Sequence, residues 1–237
     1  MANNYFRFKQ FTIYQDKCSM KVCTDACIFG AWLANYSLAA ATCLDIGTGT
    51  GLLSLMYAQQ NLTATIDAVE IEENAFEQAK ENFQHSRWSD RLQVFKADIK
   101  EFKPGKKYDL IISNPPFYEN DLLSTQKNKN IAKHDAGLNF SDLIKAVRNN
   151  LKDDGNFAVL LPYQRIEYFE KLAGEHNFFV KEKLLIKQSS KHNFFRGILV
   201  FSNLHSSYTI KELIIKTDND EYTVEFKELL KNYYLNF

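Results

Sequence analysis

DIGTGTGLL, residues 45–53, places three glycines at alternate positions between two apolar runs. The run before it, TCLDI, reads as a β-strand, and the run after it, LLSLMYAQQ, reads as a helix. Gly47, Gly49 and Gly51 let the chain turn sharply and let a ligand approach where any Cβ would collide. Strand, glycine turn and helix open a βαβ unit, and the alternation continues outward from there: TIDAVEI then ENAFEQAKENF, LQVFKAD, YDLIIS, FSDLIKAVRNNL then NFAVLLP. This is the pattern of an α/β fold around a mainly parallel sheet with helices on both faces. YDLIIS and NFAVLL are nearly continuous apolar runs, as strands covered on both sides require. Phe140, Leu143, Ile144, Val147 and Leu151 recur at helical spacing, with Gly155 available to end the helix. KEKLLIK and FFRGILVFS read as two further strands pairing antiparallel near the C-terminal end. Tyr222, Phe226, Leu229, Leu230 and Tyr233 fit the buried stripe of a final helix. About seven strands are expected in a single domain over residues 1–237: an N-terminal extension (1–40) packed on the ligand side, a core (42–203), and a C-terminal strand and helix (204–237).

Composition sets further bounds. Lys+Arg and Asp+Glu are 29 each in 237 residues, so any site for a polyanion must be local. No segment has the apolar length of a membrane span, and MANNYFRFKQ lacks the apolar core of a secretory signal. A cytoplasmic protein is expected. Cys18, Cys23, Cys27 and Cys43 form no C-x-x-C pair and the five histidines are scattered, so neither a disulfide nor a metal is expected.

The glycine loop gains meaning from the acids that follow it. Glu70 ends the next strand, 19 residues after Gly51, where a carboxylate accepts hydrogen bonds from the ribose hydroxyls of a nucleoside, with Ile71 beside it. The spacing G-x-G-x-G differs from the dinucleotide G-x-G-x-x-G, and Asp45, two residues before the first glycine, would repel a diphosphate. It suits a nucleoside that carries an ammonium group and no phosphates, which describes S-adenosylmethionine. Asp98, at the end of the third strand in KADI, is placed to accept from an adenine amine while Ile99 covers the ring.

ISNPPF, residues 112–117, ends the fourth strand of the run. A residue before proline is driven into an extended conformation, so Asn114 is held at the sheet's carboxyl edge. Neither Pro115 nor Pro116 has an N–H, which leaves the Asn114 side-chain oxygen and the Pro115 carbonyl as acceptors without competing donors. Two acceptors gripping the hydrogens of an exocyclic amine free its lone pair for a methyl sulfonium, and Phe117 offers a face for the base. The competing reading, a rigid strand exit with Phe117 in the core, does not account for the glycine loop and acid strand upstream in the same order.

These residues carry a family resemblance. DIGTGTGLL, VE, KADI and NPPF in that order resemble the class I, Rossmann-like S-adenosylmethionine-dependent methyltransferases acting on planar amino nitrogen. The N-terminal FRFKQFTIYQDKCSMKVCTDACIFGAWL is similar to the segment before the glycine loop in bacterial tRNA1(Val) (adenine-37-N6)-methyltransferases, and the similarity continues through DLIISNPPF, residues 133–143 and RGILVFS. The resemblance implies methylation of the N6 amine of adenine-37, beside the anticodon of valine tRNA; separately, a monomer is expected. It places Lys21, Thr24 and Asp25 near the methionine end of the cofactor, with Asp45, Gly47, Gly49, Gly51, Glu70, Ile71, Asp98, Ile99 and Asn114 around the rest. Two departures stand out: Cys23 replaces an expected glycine, and Phe117 stands where tyrosine is frequent. NPPF alone is shared with enzymes acting on rRNA adenine or guanine, DNA adenine or a protein glutamine, and a non-catalytic cofactor-binding RNA module is the alternative from another class. For RNA, the charge must be concentrated, and two stretches qualify: Lys127, Lys129 and Lys133 just after the motif, and Lys187, Lys191 and Arg196 further on.

Overall fold

The computed structural model describes residues 3–18, 20–36, 40–116, 138–205 and 207–236. Phe117, Lys127, Lys129 and Lys133 lie outside the described residues, as does the whole of the segment 119–137. A two-stranded antiparallel hairpin, β1 (Tyr5–Arg7) and β2 (Thr12–Tyr14), comes first, followed by α1 (Thr24–Asn35). The parallel series then runs β3 (Thr42–Ile46), α2 (Leu52–Gln60), β4 (Thr65–Glu70), α3 (Glu73–Gln84), β5 (Leu92–Lys96), β6 (Tyr108–Ser113), α4 (Phe140–Asn150) and β7 (Leu151–Pro162). A short turn at Tyr163–Arg165 leads to α5 (Ile166–Glu175), β8 (Phe179–Ser189), β9 (Phe194–Ser202), β10 (Thr209–Lys216) and α6 (Val224–Leu230).

Eight strands form the main sheet in the order β10-β8-β9-β7-β6-β3-β4-β5. Among the described residues of this sheet only β9 runs antiparallel to its neighbours. The count of about seven is therefore one short. β10, in the C-terminal segment, pairs only with β8 and buries only Leu213 and Ile215, so its edge position gives it little apolar signal. Gly155 is the second correction. The helix ends at Asn150 and the chain passes directly into β7, where the Leu151 side chain lies over Gly155 and a Cβ there would meet Leu151 Cδ1 at 2.7 Å. The final helix buries Phe226 and Leu230, whereas Tyr222 stays exposed and stacks on Phe226 from outside it.

Alternate residues of each strand feed two cores. Cys43, Ile66, Ala68, Leu110, Ile112, Ala158 and Leu160 face one side with α1 and α2; Leu44, Val69, Ile111, Phe157, Val159 and Leu161 face the other with α4 and α5. Period-two alternation with both faces apolar is what pins the register, because a one-residue slip would exchange the two sets. α2 is buried almost all round, wedged between the sheet and α1. Gly30 permits this close approach, since a Cβ there would sit 2.5 Å from Met56 Sδ. The C-terminal residues lock the arrangement: Tyr233 donates to the Met56 carbonyl at 3.0 Å, and its own carbonyl accepts from Lys9 N at 2.8 Å. β3 lies between β4 and β6, so the loops leaving β3 and β6 open at one topological switch point on the carboxyl edge. Among the described residues no helix is long and apolar enough to cross a membrane.

Candidate functional site

The turn after β3 is built by its glycines and anchored by its neighbours. Gly47, Gly49 and Gly51 adopt φ of +68°, +57° and +82°, a region that L side chains enter only at a cost. Gly47 and Thr48 donate backbone N–H groups to the Val69 carbonyl, tying the turn to the end of β4. At Gly47 and Gly49 no atom lies within 4 Å of where a Cβ would stand, so the turn faces open space; at Gly51 a Cβ would collide with Phe83.

Asp45 is fully buried beneath this turn. Its Oδ2 accepts from Thr48 Oγ1 at 2.6 Å and Ser54 Oγ at 2.7 Å, while Oδ1 has no partner among the described residues. Burial pushes its carboxyl up to about 6, against the pull of the two hydroxyls. Asp45 thus braces the loop from beneath through Thr48 and Ser54. Glu70 is also buried, and both of its oxygens are engaged: Oε2 accepts from Gly49 N at 2.9 Å, and Oε1 from Ile71 N at 2.9 Å and Glu72 N at 3.0 Å. Of roughly four acceptor positions on a carboxylate, three are filled. Ile71 beside it is 64% exposed, an apolar side chain standing free at the edge where an adenine would lie. Asp98 accepts from Lys100 N and pairs with the Lys100 ammonium, and Ile99 is buried in the second core.

On the other side of the switch point, Ser113 Oγ donates to the Ile46 carbonyl at 2.9 Å and fixes the end of β6 to β3. Asn114 follows. Its Oδ1 is buried and has no hydrogen-bond partner among the described residues, Pro115 is buried and Pro116 is exposed. A buried amide oxygen without a donor costs about 1–3 kcal/mol.

The segment before α1 completes this edge. Lys21 donates to the Gln15 carbonyl, Gln15 Oε1 accepts from Val22 N at 2.8 Å, and Thr24 and Asp25 open α1. Cys23 caps the helix at φ −128° and ψ 157°, an extended conformation open to any residue, so its departure from glycine introduces no backbone strain. Burial pushes its thiol up to about 12. Asp25 Oδ2 accepts from Arg196 Nε at 2.8 Å. Arg196, expected among the RNA contacts, is thereby paired with an acid of α1, because β9 delivers it to the same edge. Lys187 pairs with Glu212 at 3.5 Å and Lys191 with Asp218 at 3.7 Å, and Lys191 remains 68% exposed at the β8–β9 turn.

Three supporting residues escaped the sequence reading. Thr48 and Ser54 hold Asp45, and Asn82 accepts from Tyr14 N while donating to the carbonyls of Tyr14 and Thr50, so that it bolts the N-terminal hairpin to the glycine turn. A signal for Asn82 existed: together with Gln78 it occupies the buried stripe Ala75, Gln78, Ala79, Asn82, Phe83 of α3, where a polar residue must have a partner. Among the described residues no cluster of three or more His, Cys, Asp or Glu is placed to hold a metal ion.

The chain matches the methyltransferase small domain family over residues 31–183. A Dyadobacter fermentans protein named tRNA1(Val) (adenine(37)-N6)-methyltransferase is 42% identical over 239 residues, covering 99% of each chain. A Trichodesmium erythraeum protein of the same name is 41% identical over 241 residues, covering 100% of each. Among solved structures, a predicted O-methyltransferase from Agrobacterium tumefaciens has a TM-score of 0.68 at 17% identity, covering 89% of this chain and 99% of that one, a likeness of fold.

Proposed function

Because this chain belongs to the family of tRNA1(Val) (adenine(37)-N6)-methyltransferases, we propose that it transfers a methyl group from S-adenosylmethionine to the N6 amine of adenine-37 in valine tRNA, beside the anticodon. The observation that carries the catalytic part is the buried, unpartnered Oδ1 of Asn114 at the end of β6. The residues around it fit the cofactor: an open cradle at Gly47 and Gly49, the anionic Asp45 below, the acid Glu70 with exposed Ile71, and Asp25 across the edge.

When bound, S-adenosylmethionine supplies a methyl group made electrophilic by its sulfonium centre. An adenine amine is a poor nucleophile because its lone pair is delocalised into the ring. Asn114 Oδ1 and the Pro115 carbonyl accept the two N6 hydrogens and favour a pyramidal nitrogen, whose lone pair then points at the methyl carbon. With the cofactor bound, the N–C bond would form as the S–C electron pair returned to sulfur, and the amine would then give up one proton. No strong base is needed, and both acceptors are fixed before the substrate arrives. Glu70 holds the ribose with its remaining acceptor position, and sharing or release of the Gly49 N–H frees a second. Lys21, Thr24 and Asp25 serve the methionine end, Asp98 and Ile99 the adenine, and Phe117 the substrate base. Lys187 and Lys191, with Lys127, Lys129 and Lys133, meet RNA phosphates. Residues 1–237 act as one domain and as a monomer, with the first forty residues closing the cofactor side.

The test is methylation of an unmodified valine tRNA transcript with methyl-labelled cofactor, beside a transcript carrying guanine at position 37. Label on N6 of the first and none on the second is expected. Equal labelling of both, or of neither, rejects the assignment.

A further inference from the structure

The carboxyl edge carries aromatic side chains that neither core uses. β7 runs three residues past the Ser113–Val159 pair to Pro162, about 10 Å at strand rise. The turn Tyr163–Arg165 therefore stands on the rim one strand away from Asn114. The β8–β9 hairpin reaches the same rim, with Pro162 opposite Arg196 and Lys187 opposite Phe194. Tyr163 and Phe194 rings meet at 5.3 Å between centroids, tilted by 34°, and Lys187 Nζ sits 4.1 Å from the centre of Phe194. On the other side of the turn, the Arg165 guanidinium lies 5.3 Å over Tyr168 and 5.4 Å over Phe140. Tyr163 is 41% exposed and Tyr168 is 55% exposed. The acids nearby are Glu212 on Lys187, Asp218 on Lys191, Asp25 on Arg196, and Glu167 in the first turn of α5.

Partly exposed rings interleaved with cations are the surface on which unpaired nucleotides bind: bases stack on the rings and phosphates meet the charges. A paired stem offers no free base faces. We propose that Tyr163 and Phe194 form a stacking platform for an unpaired loop nucleotide flanking the target adenine, with Arg165, Lys187 and Lys191 as its phosphate contacts. The proposal rests on the tRNA reading above and extends it to residues outside the catalytic motif. The platform gives the enzyme a hold on the loop that costs little when a loop base is splayed out, and it sets the distance from that base to Asn114.

The test uses the full chain and a synthetic valine anticodon stem-loop carrying 2-aminopurine beside position 37. Tyr163→Ala should weaken binding by about 5- to 150-fold, the range for one stacked base, and abolish the fluorescence quenching seen with the parent enzyme. Tyr163→Phe should restore both. Tyr163→Leu, which fills the same edge without a flat face, should behave like Tyr163→Ala while keeping the melting temperature. Cofactor affinity by calorimetry should be unchanged in all three. Salt dependence separates the roles: the Tyr163 variants should keep the slope of log affinity against log salt, and Lys191→Ala should lower it by about 1. If Tyr163→Leu binds the stem-loop as the parent does, the platform is overturned while the tRNA assignment stands. A parent enzyme that neither binds nor methylates the stem-loop overturns both.

Discussion

Alanine at Gly49 and at Gly51 adds the same methyl to one turn and should produce opposite defects. Both positions have positive φ, +57° and +82°, and an L residue there costs about 1–2 kcal/mol. At Gly51 the new Cβ would stand 2.5 Å from Phe83 Cε1, with two more ring atoms at 3.2 and 3.3 Å. Phe83 is 3% exposed in the core, so the ring has nowhere to swing, and overpacking adds about 1–3 kcal/mol. The sum of about 2–5 kcal/mol corresponds, at roughly 2–4 °C per kcal/mol for a chain of this size, to a Tm lower by about 4–20 °C. At Gly49 nothing lies within 4 Å, so the loss of stability stops at about 1–2 kcal/mol. The methyl there projects into the open cradle, and the Gly49 N–H on Glu70 shifts with it. Cofactor affinity should fall by about tenfold or more, the cost of one unaccommodated methyl in a packed contact. Scanning calorimetry without ligand and titration calorimetry with S-adenosylmethionine separate the two defects. A Gly49→Ala variant with parental affinity, or a Gly51→Ala variant no less stable than Gly49→Ala, would refute the cradle.

Asn114→Ala should leave cofactor affinity nearly intact and lower kcat by on the order of a hundredfold or more, since it removes an acceptor aimed at the reacting amine; single-turnover rates unchanged from the parent would sink that role. Asp45 is held up to about 6 by burial, above its ordinary value near 3.8. The unfolded chain gives up this proton first, so the group's contribution is present below about pH 4 and is lost as pH rises to about 6, a swing of roughly 3 kcal/mol. The Tm of the parent relative to Asp45→Asn should therefore drop between pH 4 and 7, and a constant difference across that range would contradict it. Cys23→Gly should leave kcat and cofactor affinity within twofold or so of the parent, because the cap at φ −128° asks nothing special of its residue; a large gain in activity would show that the thiol obstructs the site.

The parts of the site legible in the sequence are those whose chemistry is local. Three glycines at alternate positions and an asparagine before two prolines each dictate their own backbone, and strand order then brings Gly47 and Asn114 to one switch point. The period-two and helical patterns likewise placed the central strands, because burial on both faces leaves few polar residues to blur them. What escaped depends on distance or on weak burial. Arg196 meets Asp25 across 171 residues, a pairing that a count of local charges cannot show. β10 is the strand expected within residues 204–237 but left out of the count of about seven; it buries two side chains at the open edge of the sheet and so carries little periodicity. Gly155 looked like a helix stop because glycine often is one, whereas here its missing side chain makes room for Leu151 inside β7.

The central claim is methyl transfer to one adenine amine of one tRNA. It is tested most directly by incubating total tRNA lacking this modification with the enzyme and methyl-labelled S-adenosylmethionine, then digesting it and mapping the labelled nucleoside by mass. The account predicts N6-methyladenosine at position 37 of valine tRNA. Label absent from tRNA, or found at a ring nitrogen or a ribose oxygen, would contradict it.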